Sequence, residues 1–259
     1  MIVADVNIEQ LKKYFFKGLP IEYLTKYGSV NIYPILVDEW DIFENNYDIL
    51  LQEKNKIPIP EIIQMSYLQF LIEVLFIEEK YQNKFRKIMS LCLHEKNLNI
   101  RYIDNKYYVV ITDDDKNIKT MINYKDFDNI KKIILYKNID GYDDEEISDD
   151  VKKVMEDYLK LTNGNYEPVT LEDKLIFLGN ETGLKLNDML QMTYREFTKR
   201  FDMAVSRMDY TINRTAELSG NVKFEQPIEH ILYKKKKNKF EKFFVKKDEI
   251  SNKIQSVNG

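Results

Sequence analysis

The chain is poor in the residues that supply most nucleophiles and soft metal ligands. Its 259 residues include one cysteine, Cys92, and two histidines, His94 and His230. A single cysteine excludes an internal disulfide and a zinc site built from several cysteines. Cys92 and His94 are two residues apart in a predicted helix, where their side chains would point about 200° apart. We therefore predict that Cys92 is a core residue and forms no thiolate–imidazolium pair with His94. His94 and His230 are far apart in sequence, and we predict that they form no catalytic pair.

Glycine and proline are also scarce, with 8 and 6 residues respectively. Sandwiches and doubly wound α/β folds use more glycine in their turns, so this scarcity favours helices. The sequence has no Walker-type glycine loop, no GxGxxG, no GxSxG and no HExxH. These absences predict a protein that is not an enzyme and needs no cofactor or metal.

Long hydrophobic runs are missing as well. The most apolar stretch, Ile57–Ile77, contains Glu61 and Glu73, whereas a membrane-spanning helix needs about 20 mostly apolar residues. Met1–Val6 has neither the basic start nor the apolar run of a signal peptide. We expect a cytoplasmic protein with no membrane partner.

Charge is present in quantity but is unevenly distributed. The net charge of −4 gives no overall case for nucleic-acid binding. An acidic segment at 138–150 is predicted to be a linker or loop, and residues 234–259 form a lysine-rich tail. The tail interleaves basic and aromatic side chains, of which six are candidate partner-binding residues: Lys234, Lys235, Lys236, Lys237, Phe240 and Phe243.

The period of the apolar residues changes along the chain and predicts a mainly α protein with a small three-stranded antiparallel β meander. Three β-branched and aromatic runs between about 98 and 122 are separated by turn-forming Asp and Asn residues. The cluster Asp113–Asp115 lacks the glycine and glutamate of a calcium-binding EF-hand loop, so a hairpin turn is predicted there.

Helical periodicity dominates the rest of the N-terminal part, a predicted helical domain at 1–137. We expect short helices interrupted at Gly18–Pro20 and Gly28, and a short extended piece at Asn31–Tyr33 that ends at Pro34. An amphipathic helix should follow over Asp38–Gln52. A long helical pattern is predicted from Glu61 to about Leu93, with a break near Glu79–Gln82 left open. Asp126–Tyr136 should form another helix, with an inner face of four residues: Phe127, Ile130, Ile133 and Ile134.

A helical C-terminal domain is predicted at 151–233. It should contain helices over Val151–Leu161, from Thr170, over Asn187–Gln191 and, most clearly, over Thr193–Ser219. Thr193 and Glu196 have the spacing of a capping box. The apolar face of this last helix is predicted to bury Phe197, Phe201, Val205 and Met208, and its polar face carries the candidate partner-binding residues Arg195, Lys199 and Arg207.

Several segments from Tyr124 to about residue 232 resemble a family from tailed bacteriophages, the tail assembly chaperones and baseplate (hub) assembly proteins. The resembling segments are Tyr124–Phe127, Ile133–Asn138, Pro168–Asp173, Met192–Phe197, Thr215–Gly220 and Pro227–His230. Ile231 departs from the pattern, because an aromatic residue is expected after the histidine.

The resemblance implies a non-enzymatic role in virion morphogenesis. The partners would be tail, tape-measure or baseplate proteins. This protein would bind them in the host cytoplasm, and the resemblance leaves open whether it is then retained in the virion. The alternative hypothesis is a phage or plasmid regulatory protein that binds nucleic acid through its basic C-terminal tail, since stacking combined with phosphate neutralisation suits single strands. Glu241, Asp248 and Glu249 dilute the charge of that tail and argue against this alternative.

Overall fold

The computed structural model describes residues 2–3, 6–15, 17–139, 142, 169–220, 222, 224 and 228. The chain divides into two compact units, Met1–Asp143 with Leu178–Arg200, and Asp144–Phe177 with Phe201–Gly259. Leu178–Arg200 thus groups with the N-terminal part, whereas the sequence placed it in the C-terminal domain. The predicted helix Val151–Leu161, nearly all of the acidic segment and the whole lysine-rich tail lie outside the described residues.

A first sheet occupies the N-terminal region, where short helices and one extended piece at Asn31–Tyr33 were predicted; that piece overlaps the end of the third strand. Helix α1 (Ile8–Phe15) is followed by strands β2 (Ile21–Thr25) and β3 (Gly28–Ile32), which pair antiparallel, and β1 (Ile2–Val3) pairs parallel with β2. The prediction of helices on both sides of these glycines was wrong, because Gly18 lies in the turn between α1 and β2 and Gly28 is the first residue of β3. Gly28 has φ +139°, and a Cβ there would lie 3.0 Å from the backbone oxygen of Lys119.

The predicted meander is confirmed as a second sheet. Strands β4 (Leu98–Ile103), β5 (Lys106–Thr112) and β6 (Ile118–Ile122) pair antiparallel in that order. The aspartate cluster forms the second turn, as predicted, because the Asp113 carboxylate accepts hydrogen bonds from the backbone (2.7 Å) and side-chain (3.1 Å) nitrogens of Asn117.

The helix predicted over Glu61–Leu93 is not continuous. It is broken just before Glu79, close to the break that the sequence left open, and also at Ser66, where none was predicted. Four shorter elements replace it: α3 (Pro60–Gln64), α4 (Tyr67–Glu73), a 3-10 turn (Leu75–Ile77) and α5 (Glu79–Leu93). The hydroxyl of Ser66 accepts a hydrogen bond from Gln69 N at 3.2 Å. This side-chain cap begins a new helix at that point, and apolar periodicity continues across the break.

The helix predicted over Asp38–Gln52 is likewise divided. It consists of a 3-10 turn (Val37–Glu39), α2 (Trp40–Glu44) and a second 3-10 turn (Tyr47–Leu50). The side chains of Asn45 and Asn46 donate to the backbone oxygens of Asp41 and Ile42, at 2.7 and 2.6 Å. These bonds satisfy carbonyls at the end of α2, where asparagine competes with the helix for backbone partners.

Helix α6 (Tyr124–Asn138) lies at the centre of the core. The side chain of Asn123 caps its start by accepting from Lys125 N and Asp126 N. All four residues of its predicted inner face are fully buried, as expected from their spacing. The ring of Phe127 packs between those of Tyr67 and Phe85, at centroid distances of 6.3 and 5.8 Å.

The C-terminal helices follow the predictions closely. They are α7 (Leu171–Thr182), α8 (Leu186–Leu190) and α9 (Tyr194–Leu218), and α9 is the longest helix in the described part of the chain. Thr170 and Asp173 form a reciprocal capping box at the start of α7, with bonds of 2.9 and 3.1 Å.

The mainly α fold class with a three-stranded meander is confirmed. Among the described helices, none combines the length and the apolar character needed to cross a membrane.

Candidate partner-binding surface

The first turn of α9 is fixed by contacts with the loop before α2. Thr193 forms an isolated bridge with Leu36, and Tyr194 N donates to Ile35 O at 2.8 Å. The Tyr194 ring lies parallel to Trp40 with 3.4 Å between ring centroids. The Thr193 hydroxyl accepts from Glu196 N at 3.2 Å, which is one of the two hydrogen bonds of the predicted capping box. The start of the helix is therefore a structural anchor.

Arg195, a predicted partner-binding residue, belongs to this anchor. One of its terminal guanidinium nitrogens donates to Tyr136 O at 3.1 Å, and its guanidinium carbon lies 5.4 Å from the centroid of the Phe15 ring. The side chain is half-buried. Its contacts join α9 to α6 and α1, so the structure gives Arg195 an internal role.

The apolar face of α9 continues beyond this anchor with decreasing burial, although Ala204 on the same side is still buried. Phe197 is fully buried, as predicted, whereas Phe201 and Val205 are half-buried and Met208 is exposed. Further along the same face Ile212 is 58% exposed. The prediction of four buried residues is therefore wrong for three of them. Phe201 retains an edge-to-face contact with Phe177 at a centroid distance of 5.5 Å.

These residues share one side of the helix because they follow a spacing of three or four residues. At 100° per residue, Phe201, Val205, Met208 and Ile212 lie within about 60° of one another. Met203 is on the opposite side, about 200° from Phe201. Met203 and Met208 are exposed to nearly the same extent, 38% and 37%. The helix thus offers one continuous apolar face and a matched methionine outside it.

The polar side of α9 carries the remaining predicted residues that the structure describes. Lys199 and Arg207 are both exposed. The Arg200 side chain pairs with Glu196 at 2.8 Å, and Arg214 pairs with Glu217. Exposed pairs of this kind contribute little to stability, about 0–1 kcal/mol each. Lys234–Lys237, Phe240 and Phe243 lie outside the described residues.

Cys92 and His94 lie at the end of α5 in different surroundings. Cys92 is fully buried, and desolvation raises the pKa of its thiol. His94 is the left-handed C-cap residue of α5, and its ring stacks on Tyr33 with 3.8 Å between centroids. Burial of a protonated thiol makes Cys92 a poor nucleophile. Within the described ranges no three His, Cys, Asp or Glu side chains are grouped to hold a metal ion.

Lys137 is a buried lysine that sequence reasoning missed. Its amine donates to Leu19 O at 2.5 Å and to Ile32 O at 3.3 Å, and burial lowers its pKa to about 8. The neighbouring Asn138 accepts from Ile35 N and donates to Ile134 O. Lys137 follows Ile133 and Ile134 at helical spacing, so the periodicity of α6 already places it on the inner face.

A cavity of about 750 Å³ separates α3 and α4 from the β4–β5 loop and α6. Its lysines mainly contact protein groups, since Lys54 donates to the backbone of Ile63 and Met65 and the Lys131 amine lies 3.6 Å from the centre of the Tyr67 ring. The buried Oδ1 of Asp128 has no hydrogen-bond partner in the described structure. Burial raises the pKa of that carboxyl, and nearby lysines oppose the shift. These contacts hold elements of the core together.

Comparisons with family models, with curated proteins and with solved structures find no match for this chain. The phage-family resemblance in the sequence therefore stays a prediction, and function has to be argued from the surfaces described above.

Proposed function

We propose that this chain is a non-enzymatic protein that acts by binding other proteins, with the outer part of α9 as its main contact surface. The observation that carries the proposal is the course of the α9 apolar face, which runs from buried Phe197 to exposed Met208 and Ile212. A helix that presents apolar residues at i, i+3, i+4 and i+7 suits a hydrophobic groove in a partner.

The amino-acid composition of this face supports a protein partner. Met208 and Ile212 are flexible or branched apolar side chains, and exposed methionine is common at surfaces that accommodate several partners. Arg207 and Asp209, which flank Met208, supply charges of both signs at the border of the apolar face. A border of mixed charge favours recognition of a protein over that of a polyanion.

The placement of the candidate nucleophiles also supports a non-enzymatic role. Cys92 is buried with a raised thiol pKa, and His94 is stacked on Tyr33 at a helix end. A histidine that acts as a general base must lie within hydrogen-bond reach of the group that it deprotonates. Neither residue lines one of the cavities described in this structure.

The class of partner follows from the family resemblance in the sequence. We propose tail, tape-measure or baseplate proteins of a tailed bacteriophage as the partners, bound in the host cytoplasm during assembly. The protein would then act as an assembly chaperone or as a baseplate component that remains in the virion.

Co-purification of tagged variants with co-expressed tail, tape-measure and baseplate proteins tests this proposal. The variant Met208→Asp places a charge on the apolar face and should reduce recovery of the partner strongly. Met203→Asp is the matched control, because Met203 has almost the same exposure on the opposite side of the helix. It should leave recovery unchanged.

Equal recovery with both variants would remove α9 as the contact surface. If the wild-type chain recovers none of these partners but retains single-stranded DNA at physiological salt, the regulatory alternative replaces the assembly function.

A further inference from the structure

Strand β4 lies at the edge of the second sheet, and no other strand of the described residues pairs with its outer side. The loop that joins it to β5 has two residues, Asp104 and Asn105, with φ of 49° and 59°. Two consecutive left-handed residues are typical of a type I′ hairpin turn. In such a hairpin the residues that flank the loop, Ile103 and Lys106, form a hydrogen-bonded pair.

The position of this pair determines which backbone groups of β4 point outward. Hydrogen-bonded and non-hydrogen-bonded pairs alternate along an antiparallel ladder, and the bond from Thr112 N to Asn97 O agrees with that alternation. Asn99 and Arg101 therefore bond to β5. The N–H and C=O groups of the other three residues point away from the sheet, and these residues are Leu98, Ile100 and Tyr102.

The side chains of the same three residues lie on one face of the strand. Leu98 and Ile100 line a cavity of about 360 Å³, together with Phe76, Phe85 and Arg86. Ile100 is 38% exposed and Tyr102 is 60% exposed. Exposed apolar side chains on an uncovered strand edge favour pairing with another strand, and the adjacent cavity offers space for a side chain of that strand.

We propose that β4 is a homodimer interface, at which a second copy of this chain adds its own β4 antiparallel to the first. The two-fold axis passes beside Ile100. Ile100 then pairs with Ile100 of the second copy, Leu98 pairs with Tyr102 of the second copy, and the two meanders form one continuous six-stranded sheet. The interface is isologous, as expected for a closed dimer.

This register is the one that uses all three outward-facing residues of each copy. A shift of two residues in either direction leaves one residue of β4 without a partner on the other strand. Directly opposed residues lie on the same face of an antiparallel sheet. The exposed Tyr102 ring of each copy is therefore brought beside Leu98 of the other, where the apolar cavity and the Arg86 guanidinium can accept an aromatic ring.

The charges along β4 are compatible with self-pairing. Arg101 lies opposite Asn99 of the second copy, so no like charges face each other within the strands. Lys96 lies just before β4 and Asp104 just after it. The antiparallel arrangement therefore brings Lys96 of each copy to the same end of the interface as Asp104 of the other copy. A strand from an unrelated protein would need to match this charge pattern, whereas a second copy matches it by its own sequence.

Amide hydrogen exchange at low and high protein concentration tests the pairing directly. As the dimer forms, the amides of Leu98, Ile100 and Tyr102 should become protected. Those of Asn99 and Arg101 should be protected at both concentrations, because they bond to β5. Sedimentation from low micromolar to millimolar concentration measures the dissociation constant over the same range.

Substitutions at Tyr102 separate the backbone contribution from that of the ring. Tyr102→Pro removes an outward N–H without breaking the β4–β5 ladder and should raise the dissociation constant at least about tenfold. Tyr102→Ala removes only the ring and should raise the dissociation constant by a smaller factor. Tyr102→Phe retains the ring and should change the dissociation constant little. Tyr124→Ala, an exposed tyrosine on α6, is the control and should leave the constant unchanged.

Three results would overturn the proposal. The first is a chain that stays monomeric up to millimolar concentration. The second is a dimer in which the three outward amides exchange as fast as in the monomer, since a contact elsewhere would then join the copies. The third is a Tyr102→Pro variant that remains folded and dimerises as tightly as the wild type.

Discussion

Helices α6 and α9 carry the same kind of apolar stripe and meet different surroundings. In α6 every residue of the predicted inner face is fully buried, and even Lys137 at its end is enclosed. In α9 the stripe is buried at Phe197, half-buried at Phe201 and Val205, and exposed at Met208 and Ile212. An apolar period thus identifies the side of a helix that can pack, while the surrounding elements decide whether it does.

The largest difference between the two helices is expected in the loss of unfolding free energy when one phenylalanine of each helix is replaced by alanine. Phe127→Ala in α6 should cost about 3–5 kcal/mol of unfolding free energy, because a buried ring is lost and leaves a cavity. Phe201→Ala in α9 should cost less than about 2 kcal/mol, since its half-buried ring loses fewer contacts. Denaturant unfolding of both variants measures the difference. Equal costs would show that α9 is packed as tightly as α6.

A second contrast concerns the buried lysine of α6. The folded-state pKa of Lys137 is about 8, below the ordinary value of 10.5. The folded chain therefore binds fewer protons than the unfolded chain between these values, and stability rises as pH increases from 8 to 10.5. The gain should reach about 3 kcal/mol and should be lost again as pH falls through the folded pKa.

Other groups titrate in the same range, so the measurement requires a reference variant. Burial raises the pKa of Cys92 and of Tyr67, which favours unfolding at high pH as these groups ionise in the unfolded chain. Lys137→Met lacks the amine and retains those groups. The difference in unfolding free energy between wild type and Lys137→Met should become more favourable to the wild type from pH 8 to 10. A difference that stays constant would show that the lysine is solvated.

The smallest effect is expected on the exposed part of α9. Ile212→Ser should change the unfolding free energy by no more than about 0.5 kcal/mol, because the side chain is mostly in water already. Thermal unfolding of the isolated chain checks this. A loss of several degrees in melting temperature would mean that Ile212 is covered within the chain, and the proposed contact surface would lose its main support.

Local chemistry made much of the fold predictable. The meander was identified from β-branched runs and the turn formers between them, α6 from its apolar period, and α9 from its period and its cap. Of the N-terminal sheet only the extended piece at Asn31–Tyr33 was predicted, although Ile21, Tyr23 and Thr25 alternate inward along β2. The break at Ser66 was not predicted because the apolar pattern continues through it.

The candidate surfaces were harder to predict, for a physical reason. Whether other elements cover Met208 depends on segments distant in sequence, so the burial of this side chain cannot be predicted from the sequence of α9 alone. Arg195 is a charged residue on the predicted polar face of α9, yet its guanidinium donates a hydrogen bond to the backbone oxygen of Tyr136, 59 residues away in sequence. The edge position of β4 is likewise a property of the assembled sheet.

Because Cys92 is buried, the rate at which its thiol is modified measures how often the surrounding core opens. It is the single cysteine of the sequence, and a thiol reagent reaches it only when the end of α5 separates from its neighbours. Under conditions where reclosing is faster than labelling, the modification rate is proportional to the fraction of open molecules, so its logarithm gives a local opening free energy. Mass spectrometry can follow that rate in an unpurified mixture. The native cysteine is the labelling site, so none has to be introduced, and partners bound at other surfaces do not prevent the measurement.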